Sequence, residues 1–318
     1  MKEYRKVVGK PWLGHITILI VNIIFGTNAS FSKILLNGQV SSNALTLFRF
    51  LGSATLFWIA SLFIKREKIP WKDLLLLFVA AIFGIIFNQG LFVAGLSKTS
   101  PIDAVLLVTL TPVMTMLIAA IHLKEPITIK KAVGVIIGCC GAVLLILQSK
   151  HYQSGTGNWI GNIMILISDL SYAIYLAVFV NLVRKYSPIT VMKWMFLFGS
   201  IVAIPLWGKD ALATPFSEFT IQTWEALFFV VAIATFLAYL LIPIAQKRIR
   251  PTTLSMYNYF QPAIATLVAT ILGLDHFGWD KVVCTALIFC GVYIVTQSKS
   301  RHQMEEKKRT DLPQNKAD

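Results

Sequence analysis

The sequence predicts an all-α integral membrane protein of ten transmembrane helices, arranged as two inverted five-helix repeats. Of its 318 residues, 56% are hydrophobic and 14% are charged, which lies outside the range of soluble globular domains. Ten apolar segments are long enough to cross a hydrocarbon core of about 30 Å. The second half of the chain also aligns with the first half. Five spans per repeat place the second copy in the membrane with the opposite orientation.

The predicted spans lie at approximately 14–36, 43–64, 74–97, 103–121, 131–148, 159–183, 188–207, 223–245, 253–273 and 281–297. Each must be helical, because a backbone polar group in lipid needs a partner within its own segment. The chain accordingly divides into a cytoplasmic tail (1–13), a first repeat (14–148), an external linker (149–158), a second repeat (159–297) and a basic cytoplasmic tail (298–318). The composition of the last segment predicts disorder.

The internal repeat is visible at two offsets. A shift of 150 positions pairs Pro112 with Pro262, and a shift of 147 positions pairs Gly14 with Gly161. Antiparallel repeats within a bilayer are the architecture of alternating access, in which a binding site lies where the two copies meet. The repeat therefore indicates a carrier.

Charge sets the expected orientation. With the N-terminus inside, the loops and tails predicted to be cytoplasmic hold 22 of the 29 Lys and Arg residues, and those predicted to be external hold 4. This asymmetry predicts a multi-pass protein of the cell (plasma) membrane with both termini in the cytoplasm. The net charge of +14 is thus explained by topology, and we expect no nucleic-acid partner. The first apolar run exceeds 20 residues and lacks a cleavage pattern, so we expect it to remain as a span.

Two stretches carry a resemblance to a known family. They are TPVMTMLIAAIHLKEPITIKKAVGVIIGCCGAVLLI (111–146) with its repeat QPAIATLVATILGLDHFGWDKVVCTALIFCGVYIV (261–295), and FGTNASFSKILL followed by LTLFRF (25–50). This pattern resembles the EamA branch of the drug/metabolite transporter superfamily over roughly 14–297. The resemblance implies ten helices in two inverted repeats and carriage of small metabolites. Family members include amino-acid and metabolite exporters, and relatives carry nucleotide sugars or sugar phosphates. The second copy departs from the pattern, since Asp275 replaces Glu125 and Phe196 aligns with Arg49.

Ionisable residues inside spans mark candidate sites. Inserting a charged side chain at the centre of a membrane helix costs about 2.5–3.5 kcal/mol of free energy, so its presence indicates a specific role. Asp169 could bind a cationic group or a proton, or form a structural bond between helices. Arg49 suits a carboxylate or phosphate, and a gating or structural role is the alternative. Lys33 and Lys193 lie near span ends, where their side chains can reach the interface.

Uncharged polar residues on common helical faces complete the predicted substrate path, with interhelical bonding as the alternative. The full set of path candidates is Asn22, Asn88, Gln89, Asp169, Tyr172, Tyr239, Tyr257, Asn258 and Gln261. Small residues form a GxxxG pattern extended by one turn at Gly134, Gly138 and Gly141, which predicts close helix packing within the monomer or a homodimer face. The four cysteines, Cys139, Cys140, Cys284 and Cys290, are interpreted as buried core residues, without a metal or disulfide spacing.

These observations predict a secondary transporter, and specifically an exporter of small polar metabolites such as amino acids or related compounds. The alternatives are a membrane-embedded enzyme and a channel-like assembly subunit. We do not expect an enzyme, because the five histidines are scattered and no HExxH or GxSxG motif is present. The lack of a Walker A loop argues against ATP-driven pumping. The expected partners are a small-molecule substrate and the lipid bilayer, with no cofactor and no metal.

Overall fold

The structure, a computed structural model, describes residues 10–37, 40–99, 104, 107–147, 159–271 and 279–298. Within these ranges the chain is helical and contains no strand. By length and composition, six helices of the described ranges can cross a membrane: Pro11–Leu36, Ser42–Ser61, Trp71–Lys98, Trp159–Val178, Pro188–Leu212 and Ile221–Gln246. Large apolar side chains are exposed along their outer faces, as at Ile16, Ile20 and Ile23. The chain is therefore a multi-pass, membrane-embedded α-helical protein.

We number the helices in chain order. The first half forms α1 (Pro11–Asn37), α2 (Ser42–Ser61), α3 (Trp71–Lys98), α4 (Thr111–His122) and α5 (Ile129–Leu147). The second half forms α6 (Trp159–Val178), α7 (Pro188–Leu212), α8 (Ile221–Gln246), α9 (Pro251–Met256, continued by Tyr257–Tyr259 and Phe260–Ile271) and α10 (Trp279–Thr296). A short helix, Val180–Lys185, follows α6 after a break at Phe179.

Local sequence explains where several helices begin. The hydroxyls of Ser41, Ser187 and Thr220 accept hydrogen bonds from backbone N–H groups in the first turns of α2, α7 and α8. Such caps satisfy donors that have no partner within the helix. Pro188 and Pro251 occupy the first positions of α7 and α9, where a missing N–H has no cost.

Helices α3 and α8 each contain a π-helical segment that the sequence analysis did not predict. The segments are Ile82–Phe87 and Phe229–Leu237, and their first residues are 147 positions apart. The wider turn leaves a carbonyl free for a side chain: Ser171 donates to Phe83 O at 2.8 Å, and Thr235 donates to Val230 O at 2.6 Å. Because π segments are rare and concentrate at functional sites, this shared feature directs attention to the residues that follow them.

Helices from the two halves pack in antiparallel pairs. In the α5–α10 pair, a Cβ atom on Gly134 would lie 2.8 Å from Gly291 O, and one on Gly141 would lie 2.9 Å from Cys284 O. The two contacts are related by the internal repeat, because Gly134 aligns with Cys284 and Gly141 aligns with Gly291. The GxxxG face is thus covered by α10, and by Tyr259 at Gly138, within the same chain.

A second set of contacts is repeated in the same way. α3 packs on α6 with a close approach at Gly95 and Gly161, where an added Cβ would lie 2.8 Å from the opposing carbonyl oxygen. α8 packs on α1 where Gly14 faces Ala245, the positions equivalent to Gly161 and Gly95. α2 and α7 also run antiparallel, because Asn43 bonds to Asp210 at one end and Trp58 contacts Trp194 at the other.

The loops after α2, α4, α6 and α8 meet at one end of the bundle, which we call the basic end. Glu67 accepts from Ser187 N at 2.9 Å, and Thr252 donates to Glu125 at 3.1 Å. The start of α1 and the end of α10 lie at the same end. Gly14 is beside Arg248, and the guanidinium of Arg250 donates to Ser298 O at 2.7 Å. The loops that the sequence grouped by charge are therefore neighbours in space.

Several predicted details are wrong. The span predicted at 103–121 is interrupted by a turn at residues 109–110, with described helical residues on both sides of it. The span predicted to continue to 183 breaks at Phe179. Cys140 and Cys290 are exposed, and only Cys284 is fully buried, because the outer faces of α5 and α10 do not contact other described helices there. Asp275 and the tail after 298 lie outside the described residues.

Candidate functional site

A polar cavity lies near the middle of the bundle, between the two halves. The cavity and its mouth hold about 560 Å³ of empty space. Its lining comes from α1, α2, α3, α6, α8 and α9 and from Val108, a helical residue just before the turn that leads into α4. The lining residues are Phe25, Asn28, Arg49, Asn88, Gln89, Phe92, Val108, Asp169, Tyr172, Tyr239, Asn258 and Gln261.

The cavity brings together most of the residues singled out in the sequence. Seven of the nine path candidates line it, together with Arg49. Two path candidates, Asn22 and Tyr257, do not line it. Asn22 Oδ1 accepts from Gln261 Nε2 at 2.9 Å, and the Tyr257 hydroxyl is 2.8 Å from His15 Nδ1. Both contacts join α1 to α9 next to the cavity.

Arg49 is the basic residue of the cavity wall. Its side chain is only 3% exposed, and Nε donates to Thr235 Oγ1 at 3.0 Å, within the π segment of α8. Thr235 in turn donates to Val230 O, which fixes the hydroxyl as an acceptor for Arg49. Nη1 has no hydrogen-bond partner among the described residues. The Arg49 guanidinium is thus bonded through Nε, and its Nη1 remains available as a donor.

Asp169 is the acidic residue of the wall. It is 4% exposed, and its Oδ2 has no hydrogen-bond partner in the part of the chain that the structure describes. The Thr111 hydroxyl lies beside this carboxylate without reaching hydrogen-bond geometry. The neighbouring serines anchor α6 to α3: Ser168 donates to Asn88 O at 2.6 Å, and Ser171 donates to Phe83 O. The carboxylate is therefore buried on a fixed helix with an oxygen free to accept.

Amide and phenol groups connect the two charged regions. The Tyr239 hydroxyl donates to Asn88 Oδ1 at 2.9 Å, and Asn88 Nδ2 lies 3.3 Å from Ser168 Oγ. Gln89 is 2% exposed, yet neither its amide nitrogen nor its amide oxygen has a described partner. Asn88 comes directly after the first π segment, and Tyr239 lies two residues after the end of the second. The π segments therefore position the polar wall.

Four lining residues are not among the predicted path candidates: Phe25, Asn28, Phe92 and Val108. Helical spacing could have found three of them. Phe92 lies one turn after Asn88, and Phe25 and Asn28 follow Asn22 at spacings of three and six. Three of the four are apolar, so the cavity combines polar groups with apolar contact surface.

A second buried charge cluster lies at the basic end, away from the cavity. Lys131 is 1% exposed and its Nζ lies 2.7 Å from Glu125 Oε2, which also accepts from Thr252 Oγ1 at 3.1 Å. Lys124 has a φ of 52°, in the left-handed region that commonly ends a helix, and this turn places Glu125 after α4. The pair joins the α4–α5 turn to the start of α9.

The loops of the basic end carry further polar contacts. Asp73 accepts from Lys185 and from the Tyr186 hydroxyl, and Lys247 donates to Tyr186 O. Burial alone raises the pKa of the Glu67 carboxyl, but hydrogen bonds from Thr190 and Ser187 outweigh it and bring the pKa below its ordinary value. These contacts tie the loop after α2 to the loops after α6 and α8.

The side chains of Lys33 and Lys193 do not line the cavity, and each has a contact elsewhere. Lys33 Nζ donates to Leu96 O at 3.1 Å, and Lys193 Nζ lies 5.0 Å from the centre of the Trp58 ring. No group of three His, Cys, Asp or Glu side chains that could hold a metal occurs among the described residues. The cavity wall therefore presents one guanidinium, one carboxyl group and several amides to a polar solute.

Comparison with known proteins agrees with this description. The sequence profile of the EamA-like transporter family matches residues 12–147 and 159–297. An "uncharacterized transporter" of Archaeoglobus fulgidus is 27% identical over 82% of this chain and 90% of its own length. The "uncharacterized transporter YyaM" of Bacillus subtilis is 24% identical over 87% of this chain and 92% of its own length. A WAT1-related protein of Arabidopsis thaliana is 22% identical over 90% of this chain and 86% of its own length. A protein of known crystal structure superposes with a TM-score of 0.66 at 18% identity, covering 90% of this chain and 96% of its own, and so shares the fold.

Proposed function

We propose, since this chain belongs to the EamA-like transporter family of the drug/metabolite transporter superfamily, that it is a secondary transporter that exports small polar metabolites. Amino acids or related compounds are the proposed class, and alternating access between two inverted repeats is the proposed mechanism. The observation that carries the proposal is the central cavity, whose wall comes from both halves and whose buried polar groups keep unused hydrogen-bonding capacity. The similar proteins from Archaeoglobus fulgidus and Bacillus subtilis are themselves named transporters.

The inverted relationship of the repeats is supported by the antiparallel packing of equivalent helices. α5 packs against α10 and α2 against α7, while the α3–α6 contact recurs as α8–α1. A two-fold axis in the membrane plane produces this pattern, because it turns each helix upside down onto its equivalent. Two such halves can exchange conformations, which opens the cavity alternately to each side.

Transport is tested by counterflow. Purified protein in vesicles of purified lipid should exchange a labelled metabolite across the membrane without added nucleotide. Vesicles without protein are the control. Absence of exchange for every metabolite class, or exchange that requires ATP, would contradict the proposal. Export is tested separately in cells, where overproduction should increase release of the substrate and deletion should increase its retention.

Topology follows from the charge asymmetry, and we propose the plasma membrane with both termini in the cytoplasm. In a variant whose four native cysteines are replaced, Gly155→Cys in the linker should react with an impermeant thiol reagent in intact cells. A cysteine at Lys65, in a basic loop, should react only after lysis. The reverse pattern would overturn the proposed orientation. A homodimer, also proposed, needs a surface other than the glycine face of α5, because α10 and Tyr259 cover that face.

A further inference from the structure

We infer that a groove at the basic end binds an anionic phospholipid, with the lipid phosphate on Lys193 and Arg66 and an acyl chain along the exposed face of α2. This site lies outside the central cavity, and the inference goes beyond the proposed transport function. In the proposed orientation of the chain, the bound lipid belongs to the cytoplasmic leaflet.

The groove lies where the end of α2 meets the first turns of α3 and α7. The groove and its mouth hold about 850 Å³ of empty space, within the size range of sites for small molecules. α7 packs on both α2 and α3. Lys193 and Trp194 of α7 line the groove, together with Trp58 of α2, Leu62 directly after α2, and Leu74 of α3. Both halves of the chain therefore contribute to its wall.

Two cations line the groove without an anionic partner. Neither Lys193 nor Arg66 forms an ion pair within the described ranges. Lys193 Nζ lies 5.0 Å from the centre of the Trp58 ring, a contact that leaves ammonium N–H groups free to donate. Ammonium and guanidinium groups both bind phosphate, and a guanidinium can do so through two parallel hydrogen bonds. The charge of the groove therefore suits a phosphate.

The acidic residues near these cations are bonded to other parts of the protein. Glu67 also lines the groove, but its carboxylate accepts from Ser187 N at 2.9 Å. Asp73, in the first turn of α3, is paired with Lys185. The segment 65–73 holds four basic residues and these two acidic ones. An anionic headgroup therefore meets a surface of net positive charge.

An exposed and mostly apolar face leads away from the groove along α2. Leu51, Thr55, Trp58 and Leu62 are spaced by four, three and four residues, which places them on one side of the helix, and all four are exposed. The rings of Trp58 and Trp194 meet edge to face with centres 5.6 Å apart. Tryptophan is enriched at the level where lipid headgroups meet acyl chains. A phospholipid contacts the cations and the apolar face together, whereas a soluble phosphate compound contacts only the cations.

The charged and aromatic residues of the groove are not repeated in the other half of the chain. The shift of 147 positions that relates the halves places Pro205 at the equivalent of Trp58 and Thr46 at the equivalent of Lys193. The antiparallel α2–α7 pair therefore carries this combination at one end only, so the packing of the repeats does not require it. Anionic lipids give the cytoplasmic leaflet a negative surface, and basic pockets between membrane helices on that side bind their headgroups.

The test compares two phospholipids that have the same oleoyl chains and differ in headgroup charge. Anionic phosphatidylglycerol and zwitterionic phosphatidylcholine are each titrated into the purified full-length protein in detergent, and bound lipid is measured by native mass spectrometry. We expect phosphatidylglycerol to bind at least about fivefold more tightly, the effect of one additional contact between a lipid charge and a surface cation. This comparison requires no variant. Equal binding of the two lipids would overturn the inference.

Variants then locate the site. Arg66→Gln combined with Lys193→Gln should reduce the affinity for phosphatidylglycerol to that for phosphatidylcholine, a loss of at least about fivefold. Lys10→Gln combined with Lys130→Gln removes two exposed cations of the basic end that do not line the groove, and should keep the wild-type preference. If both double variants lose the preference equally, or if neither loses it, the assignment to this groove is wrong.

A competition experiment distinguishes a lipid from a soluble phosphate compound. Glycerol phosphate carries the phosphate of phosphatidylglycerol without its acyl chains, and an excess of about a hundredfold over the lipid should not displace it. Displacement at this ratio would assign the groove to a soluble phosphate compound and overturn the lipid assignment. None of these measurements uses transport, so their failure would leave the proposed transport function standing.

Discussion

Among the described residues, acidic and basic side chains are buried near each other in two places, and only one of these places contains an ion pair. At the basic end, Glu125 and Lys131 form a direct ion pair at 2.7 Å, supported by Thr252. In the central cavity, Arg49 and Asp169 are buried to a similar degree but do not pair. The first arrangement satisfies its charges within the protein. The second arrangement leaves Arg49 Nη1 and Asp169 Oδ2 without a hydrogen-bond partner among the described residues.

This difference separates a structural role from a binding role. Removing one partner of a buried pair leaves an uncompensated charge, which is strongly destabilising. Removing a charge that already lacks a partner also removes its desolvation cost, so the folded state loses little. Stability and transport measurements on the two clusters should therefore give opposite patterns.

The largest effect is expected at the ion pair. Lys131→Met leaves the Glu125 carboxylate buried without its partner, and we expect the free energy of unfolding to fall by about 3–5 kcal/mol. The measurement is denaturant unfolding in detergent micelles. Lys130→Met, at the neighbouring exposed position, is the control and should have little effect. The double variant Glu125→Leu, Lys131→Met should recover most of the loss. A stable single variant would contradict the structural role.

The cavity charges should show the reverse. Arg49→Gln and Asp169→Asn should each reduce the initial rate of counterflow at least about tenfold, the effect of losing one charged hydrogen bond. We expect their free energies of unfolding to stay within about 1 kcal/mol of the wild type, because the protein loses no ion pair. Rates are compared at matched protein per vesicle. A loss of stability as large as that of Lys131→Met would assign these residues to the fold instead.

The α5–α10 contact provides a third case, because it joins the two halves through close packing at glycines and not through charged side chains. A Cβ on Gly291 would lie 2.5 Å from Gly138 N and 2.6 Å from Gly134 O, so Gly291→Ala must push the helices apart. We expect a loss of about 1–3 kcal/mol in unfolding free energy and unchanged preference among ligands. Gly208→Ala is the matched control, since nothing lies within 4 Å of its Cβ position. If Gly291→Ala is as stable as this control, the helices do not pack as closely as described.

The smallest effect is expected at Glu67 in the loops of the basic end. Its folded-state pKa lies below the ordinary value, so its contribution to stability is present above that value and is lost as the pH falls through the folded pKa. For an exposed carboxylate we expect at most about 1 kcal/mol. Melting temperature measured against acidic pH should fall less steeply for Glu67→Gln than for the wild type. Glu225→Gln, at another exposed position, should follow the wild type.

Much of the fold and of the candidate site could be predicted because the relevant signals are local. An apolar run reveals a membrane helix by its length, and Asp169 or Gln89 is conspicuous in such a run because a buried polar group needs a reason to be there. The polar groups on the cavity wall other than Asn28 were found in this way. The apolar lining residues Phe92 and Val108 give no such signal, since an apolar side chain in an apolar span fits any surrounding.

Hydrogen-bond partners could not be predicted, because they come from distant parts of the sequence. Asn22 and Gln89 look alike as amides within spans, yet Asn22 is bonded to Gln261 and Gln89 retains both of its groups unpaired. The glycines of α5 allowed either packing within the chain or a dimer face, and only their contact with α10 distinguishes these uses within the described structure.

The sequence by itself determined the helical membrane class, the family pattern and the short set of polar residues from which a site could be built. The tertiary structure decided which of those residues share one cavity, that Arg49 is held by Thr235 across 186 positions, and that two π segments precede Asn88 and Tyr239. The physical reason is that hydrophobicity and its period are properties of neighbouring residues. Whether a buried charge finds a partner depends on which helices meet.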